Sequence, residues 1–368
     1  MTRQQTAQAP QSAEAQIVLG VEASCDDTAA AVLRVPPSGV PDVLSSLAQA
    51  QDEEHAPYGG VVPEIAARAH AERLDAVTRR AVAEAGTSWD EIGLVAATAG
   101  PGLIGGVMSG LTFAKGLSLS LGVPLRPVNH LAGHALSVLL EAEVAYPYLL
   151  LLVSGGHTQL LTVHGPDRFE RHGTTIDDAA GEAFDKTAKL LGLDRAGFGA
   201  GGPGVQRAAT AGDPERYAMP RPLLGRSGCD FSFSGLKTAV RQAAERAAPL
   251  GDQARADLAA SFQAAAVRHL TERTARALEE SGARTLVASG GVAANAPLRA
   301  ALGTLAEASG ARLVLPSLRY CTDNAAMIAL AGALTPPADD PLGFVPRPRW
   351  PLDEDVAGVG GGRKGPKV

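Results

Sequence analysis

Two histidines one helical turn apart are the residues of this sequence best suited to chemistry. His130 and His134 lie in residues 128–135, a segment that predicts a helix directly after a buried strand. Side chains four positions apart on a helix share one face, so a single metal ion could bind both rings. Leu131 follows His130, which argues against the His-Glu-x-x-His arrangement of zinc peptidases. The two histidines predict a metal site in which the ion holds a substrate. The alternative is that both side chains are purely structural.

Asp323 is the candidate third ligand, at the start of a helix predicted over residues 323–333. An aspartate at this place ordinarily caps the helix. If Thr322 caps the helix instead, the carboxylate can join the two histidines. Two imidazoles and a carboxylate with an open coordination position suit Zn²⁺ or Fe²⁺.

Two Ser-Gly-Gly segments, residues 154–156 and 289–291, predict contacts with an anion. Glycine lets backbone N–H groups approach a ligand closely, and the second segment lies where a strand runs into a helix. Either segment alone could be an ordinary turn, but two in one chain favour a bound nucleotide. A third glycine-rich segment, residues 100–106, is better explained by tight packing of a strand against a helix.

Acidic side chains mark two further candidate positions. Asp26 and Asp27 occupy a predicted hairpin turn, where carboxylates could position Mg²⁺, although turns favour aspartate in any case. Asp185 lies on a helix predicted over residues 177–191, in which Gly181 costs about 1 kcal/mol relative to alanine. That cost indicates that a ligand or another backbone packs closely there. A solvated helix face with ion pairs is the alternative.

The elements that position these residues predict an α/β fold. Residues 17–33 read as strand, turn and strand, and residues 148–163 repeat the pattern. Between them, a strand at 94–98, a helix at 109–121 and a strand at 125–128 indicate a parallel sheet with a crossover helix. The repeated hairpin predicts two related halves. Further helices are predicted over residues 63–85, 234–247 and 254–281.

Length and composition bound the class of protein. The 368 residues, 45% of them hydrophobic, favour two domains. A net charge of −6 gives no overall basic field, so an RNA partner would need a local basic surface. The arginine-rich helix at 63–85 offers one, although a solvated face is the alternative.

Cysteine usage and hydropathy indicate a cytoplasmic protein. Cys25, Cys229 and Cys321 are far apart and without paired spacing, which favours a reducing compartment. Residues 1–15 lack the apolar core of a signal peptide. No apolar run approaches the roughly 20 residues of a membrane span, so no membrane association is expected.

Nine segments taken in order resemble the TsaD family of tRNA N6-adenosine threonylcarbamoyltransferases, also called Gcp or YgjD. They include Val-Glu-Ala-Ser-Cys-Asp-Asp-Thr, Leu-Val-Ser-Gly-Gly-His-Thr-Gln and Asp-Phe-Ser-Phe-Ser-Gly-Leu-Lys. The resemblance covers about residues 16–352. The segments are residues 21–28, 55–64, 98–103, 129–134, 152–159, 176–193, 230–237, 289–295 and 321–324.

The resemblance implies an actin-like, sugar-kinase-like (ASKHA) α/β fold with two lobes, each built on a ribonuclease-H-like core. Residues 16–146 with about 320–352 would form the first lobe, and residues 147–319 the second. Tails at residues 1–15 and 353–368 are expected to be disordered.

The resemblance also implies a reaction. Such proteins transfer the threonylcarbamoyl group of threonylcarbamoyl-AMP to N6 of the adenosine just 3′ of the anticodon (position 37), in tRNAs reading codons that begin with A, and AMP leaves. One divalent metal ion per subunit, Fe²⁺ or Zn²⁺, is implied, and Mg²⁺ is a further candidate. The implied partners are tRNA, a TsaB-like protein in a heterodimer, a TsaE-like ATPase and a TsaC-like enzyme that supplies the intermediate.

Site residues carry over from the family position by position. The implied metal ligands are His130, His134 and Asp323. Asp26 is the candidate general base. The implied substrate-binding residues are Leu152, Val153, Ser154, Gly155, Gly156, Asp185, Gly202 and Asn295.

Two other functions stay open on sequence grounds. A metallopeptidase would need a glutamate acting on metal-bound water, and the nearest downstream acid is Glu141, seven residues after His134. A non-catalytic, actin-like nucleotide-binding scaffold is the second alternative. Cleavage of a peptide or modification of tRNA would discriminate between them.

Overall fold

The computed structural model describes residues 14–58 and 60–353, and its contacts divide the chain into two units. The first unit holds the described residues up to His130, with Leu139–Glu143 and Asn324–Arg349. The second holds Leu131–Val138, Val144–Asp323 and residues 350–353. Residues 1–13 and 354–368 of the predicted disordered tails lie outside the described residues. The lobe limits implied by the resemblance stay a prediction.

Ten strands and ten helices are present in the described part of the chain. The strands are β1 (Gln16–Glu22), β2 (Thr28–Val35), β3 (Asp42–Gln49), β4 (Ile92–Gly100), β5 (Leu125–Asn129), β6 (Tyr148–Val153), β7 (Thr158–Gly165), β8 (Arg168–Thr174), β9 (Thr285–Ser289) and β10 (Arg312–Val314). The helices are α1 (Asp52–His55), α2 (Pro63–Glu84), α3 (Ile104–Leu121), α4 (His130–Leu136), α5 (Ala180–Leu191), α6 (Gly201–Ala209), α7 (Ser234–Arg246), α8 (Asp252–Ser281), α9 (Ala296–Ser309) and α10 (Ala325–Leu334).

Each unit is built on a mixed five-stranded sheet, and the two sheets share one topology. The first has the order β3-β2-β1-β4-β5 and the second the order β8-β7-β6-β9-β10. In each, three strands form an antiparallel meander, and two further strands run parallel to the first strand of that meander. The predicted duplication of the hairpin and the expected α/β, actin-like fold are thereby confirmed.

Glycines allow close packing between α3 and the turn that follows β1. A Cβ atom at Gly106 would overlap the carbonyl oxygen of Ala23, and one at Gly102 would lie 2.6 Å from the carbonyl oxygen of Ser24. The backbone N–H of Leu103 donates to that same Ser24 oxygen at 2.7 Å. The packing interpretation of residues 100–106 is therefore confirmed. The helix begins earlier than its predicted start at residue 109.

The core of the first unit is completed by residues from near the end of the chain. Helix α10 is almost entirely buried and packs against β1, where a Cβ atom at Gly20 would overlap the carbonyl oxygen of Ala325. Beyond α10, the backbone N–H of Arg347 donates to the carbonyl oxygen of Ala99 at 2.7 Å. The chain thus returns over the end of β4.

In the second unit, helix α5 begins at Ala180 rather than at the predicted residue 177. The carboxylate of Asp177 instead accepts hydrogen bonds from the Ser232 hydroxyl at 2.5 Å and from the Phe233 N–H at 2.8 Å. A Cβ atom at Gly181 would lie 2.6 Å from the Ser154 carbonyl oxygen. The close backbone expected at this glycine is therefore present, although Gly181 lies in the first turn of the helix.

Helix α3 is the one described helix that is long and apolar enough to cross a membrane, judged by length and composition alone. It contradicts the expectation that no apolar run approaches this length. It packs against α2 and β4, and a core helix passes the same test, so the finding is weak evidence for a membrane span.

Candidate metal and substrate site

Helix α4 carries the two histidines of the predicted metal site. His130 is its first residue, directly after β5, and His134 lies one turn further on. Both side chains are buried. The predicted order of buried strand, helix start and paired imidazoles is therefore found in the structure.

Asp323 contacts the second histidine instead of capping a helix. Its Oδ1 lies 3.0 Å from Nε2 of His134. Helix α10 starts two residues after Asp323, and its cap is Asn324, whose side-chain oxygen accepts the N–H of Met327 at 2.9 Å. The prediction of a helix beginning at Asp323 was wrong by two residues. Because the helix starts after Asp323, its carboxylate does not cap the helix and contacts His134.

The donor set fits a small divalent metal ion. His130, His134 and Asp323 each offer one ligand atom, and these atoms all lie within 4.8 Å of one another. A tetrahedral ion with bonds of about 2.1 Å separates its ligand atoms by about 3.4 Å, so small side-chain movements suffice to bind it. Two nitrogen donors and one oxygen donor suit Zn²⁺ and Fe²⁺.

A buried glutamate that sequence analysis missed contacts the first histidine. Glu22, at the end of β1, is 1% exposed, and its Oε2 lies 2.9 Å from Nδ1 of His130. The same oxygen accepts the Thr98 hydroxyl at 2.5 Å, and Oε1 accepts the Ser24 N–H at 2.6 Å. A signal was present in the sequence, because a charged residue closing a buried strand requires polar partners.

A cavity of about 430 Å³ in the second unit brings together four of the eight predicted substrate-binding residues. Gly155, Asp185, Gly202 and Asn295 all line it. Thr322, the neighbour in sequence of the third candidate metal ligand, lines it too. Positions separated by up to 140 residues in the sequence thus line one cavity. Its volume lies in the range of ligand sites.

The glycine turn between β6 and β7 can present main-chain donors. The Ser154 N–H donates to the His157 carbonyl at 2.8 Å, and the His157 N–H donates to the Ser154 hydroxyl at 3.2 Å. Within the described residues, the N–H groups of Gly155 and Gly156 donate no hydrogen bond, and both glycines are exposed. They are therefore able to bind an anion.

Other predicted substrate residues contribute less through their side chains. Leu152 and Val153 are fully buried in β6, so only their main chain could reach a ligand. Asn295 caps α9 by accepting the Leu298 N–H at 3.0 Å, and it also donates to Gln263 at 2.9 Å. The Asn295 amide therefore shapes the cavity wall as well as lining it.

Asp185 is the acidic group of the cavity. Burial raises the pKa of this carboxyl, and the hydrogen bond from the Gly202 N–H, 3.2 Å from Oδ1, opposes the shift. When ionised, the carboxylate can accept hydrogen bonds from ligand hydroxyl groups. Gly202 itself meets no close neighbour that would exclude a side chain.

The acidic pair of the first hairpin turn is separate from this cavity lining. Asp26 and Asp27 are partly exposed and belong to the first unit. The Asp26 carboxylate makes no hydrogen bond to another described residue. The candidate role of Asp26 as general base stays a prediction.

Each unit also buries a histidine that the sequence analysis did not single out. His70 holds the first hairpin turn, since its Nε2 lies 3.1 Å from the Cys25 carbonyl oxygen, and burial lowers its pKa. In the second unit, Nε2 of His269 accepts the Ser232 N–H at 3.2 Å. Burial, with Arg273 nearby, lowers the pKa of His269 to about 4.

Comparison with known proteins identifies one family. The sequence model described as tRNA N6-adenosine threonylcarbamoyltransferase (TsaD) matches residues 42–330. A protein of that name from Chelativorans sp. (strain BNC1) is 56% identical over 363 residues, which cover 95% of this chain and 99% of the relative. A namesake from Maricaulis maris (strain MCS10) is 54% identical over 378 residues, covering 98% and 99%.

Solved structures support the fold. Full-length HypF, in a phosphate- and nucleotide-bound form, aligns with a TM-score of 0.57 and 14% identity. The match covers 87% of this chain and 55% of HypF. HypF of T. kodakarensis also gives a TM-score of 0.57, with 16% identity, over 87% of this chain and 47% of its own. At such identities the likeness concerns the fold alone.

Proposed function

The chain belongs to the tRNA N6-adenosine threonylcarbamoyltransferase family and is an acyltransferase, and we propose from this membership that its acyl donor is threonylcarbamoyl-AMP. The acceptor is N6 of adenosine 37 in tRNAs that read codons beginning with A, and AMP is released. One observation carries the proposal: the cavity lined by Gly155, Asp185, Gly202 and Asn295, beside Thr322, has the size and donors for an adenylate.

The adenylate would be held mainly by main-chain and carboxylate groups. The N–H groups of Gly155 and Gly156 would donate to its phosphate, and Asp185 would accept from sugar hydroxyls. Phe184 and Val292 give the cavity an apolar wall, which suits a purine ring. The pattern is that of a site preformed for an anionic, partly aromatic ligand.

His130, His134 and Asp323 would hold the divalent metal, Fe²⁺ or Zn²⁺. When bound there, the metal would supply Lewis-acid polarisation of a substrate carbonyl. Mg²⁺ near Asp26 and Asp27 is a further part of the proposal, since hard carboxylate oxygens suit that ion.

The transfer forms one bond and breaks another. A bond forms between adenosine N6 and the carbamoyl carbon, and the bond between that carbon and the phosphate oxygen breaks. The N6 amine loses a proton, for which Asp26 is the proposed acceptor. Main-chain donors at Gly155 and Gly156 would stabilise the charge on the departing phosphate.

The decisive experiment is mass-spectrometric nucleoside analysis of tRNA incubated with the protein. One arm supplies the protein with partners, threonine, bicarbonate and ATP, and a second supplies the same partners with preformed threonylcarbamoyl-AMP as the donor. We expect N6-threonylcarbamoyladenosine and an equal amount of AMP in the second arm. Product in the first arm without product in the second would overturn the proposed donor.

The two alternative functions are less well supported. A metallopeptidase needs a glutamate on metal-bound water, but Glu22 is engaged at Nδ1 of His130 and by Thr98 and Ser24. Chelator-sensitive cleavage of a peptide would revive that function. A non-catalytic scaffold would bind AMP and leave tRNA unmodified.

The proposal includes protein partners and a cytoplasmic location. An apolar stripe on α3 supports a protein partner, because Ile104, Met108 and Leu119 are 50%, 54% and 65% exposed. The partner proposed for it is a TsaB-like protein in a heterodimer, with a TsaE-like ATPase and a TsaC-like enzyme acting alongside. The three cysteines are free thiols, which agrees with a reducing compartment.

A further inference from the structure

Glu22 is a buried carboxylate whose hydrogen bonds include one to the ring of a candidate metal ligand. It closes β1, is almost fully buried, and accepts from three groups on three segments of the first unit: the Ser24 N–H, the Thr98 hydroxyl and the His130 ring. The Ser24 hydroxyl lies 3.2 Å from the same ring nitrogen, Nδ1. Each oxygen of the carboxylate therefore has a hydrogen-bond partner other than the histidine.

This arrangement selects one tautomer of His130. An ionised carboxylate has no proton to donate, so its hydrogen bond with Nδ1 requires the proton to be on Nδ1. The lone pair then resides on Nε2, the nitrogen on the other side of the ring. Only a nitrogen with a lone pair can bind a metal ion, and carboxylate partners of ligand histidines characteristically fix this choice.

We propose that Glu22 is a positioning residue that holds His130 in the Nδ1-protonated tautomer and so prepares Nε2 to bind the metal. The inference rests on the proposed metal site but concerns a residue outside it. Glu22 binds neither metal nor substrate. Its effect reaches the site through the orientation and tautomer of one imidazole ring.

The substitution Glu22→Gln tests the inference. An amide NH₂ in place of Oε2 would face Nδ1 and favour a proton on Nε2, whereas the opposite amide orientation would place NH₂ against the Ser24 N–H. We expect the dissociation constant for Zn²⁺, measured by competition with a chromophoric chelator, to rise about 10–100-fold. In the metal-free protein, long-range ¹H–¹⁵N spectra should show the His130 tautomer shifting from Nδ1–H to Nε2–H.

Asp257→Asn is the matched control. Asp257 is also a buried carboxylate, accepting from the Asp213 N–H at 2.9 Å and from Gln253 at 2.8 Å, and no histidine of the described residues hydrogen-bonds to it. This variant should lose thermal stability comparable to Glu22→Gln while keeping Zn²⁺ affinity within about 2-fold. Thr98→Val removes one support of Glu22 and should weaken Zn²⁺ binding by about 3-fold, which provides a milder variant if Glu22→Gln does not fold.

The outcomes separate this inference from the proposed function. If wild-type protein and variant bind Zn²⁺ equally well and show the same His130 tautomer, the role of Glu22 is overturned. If the wild-type protein binds neither Zn²⁺ nor Fe²⁺, the proposed metal site is overturned, and the tautomer spectra still decide the role of Glu22. Equal losses of Zn²⁺ affinity in Glu22→Gln and Asp257→Asn would show a general effect on folding and overturn the inference.

Discussion

The two hairpin turns occupy equivalent places in sheets of identical topology, yet they differ in the groups that they present. The β1–β2 turn is packed from outside: Gly102 and Gly106 press against its carbonyl oxygens, and Leu103 donates to one of them. The β6–β7 turn is packed on one side in the same way, since the N–H groups of Gly181 and Glu182 donate to the carbonyl oxygens of Ser154 and Gly155. Its two glycines are open on the other side, where nothing lies within 4 Å of a Cβ atom placed on Gly155 or Gly156.

This difference teaches how a duplicated framework can supply two kinds of chemistry. A packed turn fixes side chains, as it fixes Glu22 against His130. An open glycine turn offers its own N–H groups to a ligand. We therefore expect the first turn to act through side chains and the second through the main chain.

The largest effect is expected from loss of a metal-binding side chain, compared with loss of a side chain in the second turn. His134→Ala removes a metal ligand and should lower single-turnover transfer from preformed threonylcarbamoyl-AMP by at least about 100-fold. Ser154→Ala should stay within about 5-fold, because the hydroxyl only accepts the His157 N–H at 3.2 Å. Comparable losses in both variants would show that the second turn also acts through a side chain.

Packing around the two turns can be compared by adding one methyl group to each region. Gly106→Ala places a Cβ against the Ala23 carbonyl and should cost about 2–3 kcal/mol of unfolding free energy. Gly156→Ala meets open space and should change stability by less than about 0.5 kcal/mol. Urea denaturation at constant m value measures both. Similar costs would remove the distinction between a packed and an open turn.

Acid should weaken the second unit through a buried histidine. The pKa of His269 is about 4 in the fold and about 6.5 when unfolded, so between these pH values the unfolded chain binds more protons. Stability is therefore retained above pH 6.5 and lost as the pH falls toward 4, by about 1–2 kcal/mol at pH 5. His269→Gln should flatten this slope in chemical denaturation. The more exposed His164→Gln is the control, and an unchanged slope for His269→Gln would contradict the assignment.

The smallest expected effect concerns the one acidic side chain of the cavity. Asp185→Asn keeps an acceptor for the Gly202 N–H but replaces a charged acceptor for sugar hydroxyls with a neutral one. Binding of AMP, measured by calorimetry, should weaken by about 5-fold. Tighter binding of AMP by Asp185→Asn would mean that the carboxylate repels the phosphate instead of holding the sugar. The proposed ligand contacts would then be limited to the main chain.

Sequence patterns sufficed for features that depend on neighbouring residues. The repeated hairpin, the helix bounded by Pro63 and Gly86, and the histidine pair of α4 all follow from local periodicity and turn chemistry. The close packing at Gly181 also followed, because a glycine inside the predicted helix has a cost, although the structure places it in the first turn.

Most contacts between distant residues could not be predicted. Glu22 meets a histidine 108 positions away, and no local pattern reveals such a pairing. Asp177 was expected inside a helix, but its carboxylate binds a segment 55 positions downstream, which delays the helix start. Asp323 and Asn324 are both good caps, and only the position of His134 decides between them.

The return of the chain from α10 to β1 has a consequence for synthesis on the ribosome. The first strands to leave the exit tunnel must wait for Ala325 and the residues around it, made roughly 200 residues after β5, before their core is closed. At about 5–20 residues per second, this delay is roughly 10–40 s. The sheet of residues 144–323 has all its strands earlier, so the half translated first is the half that matures last.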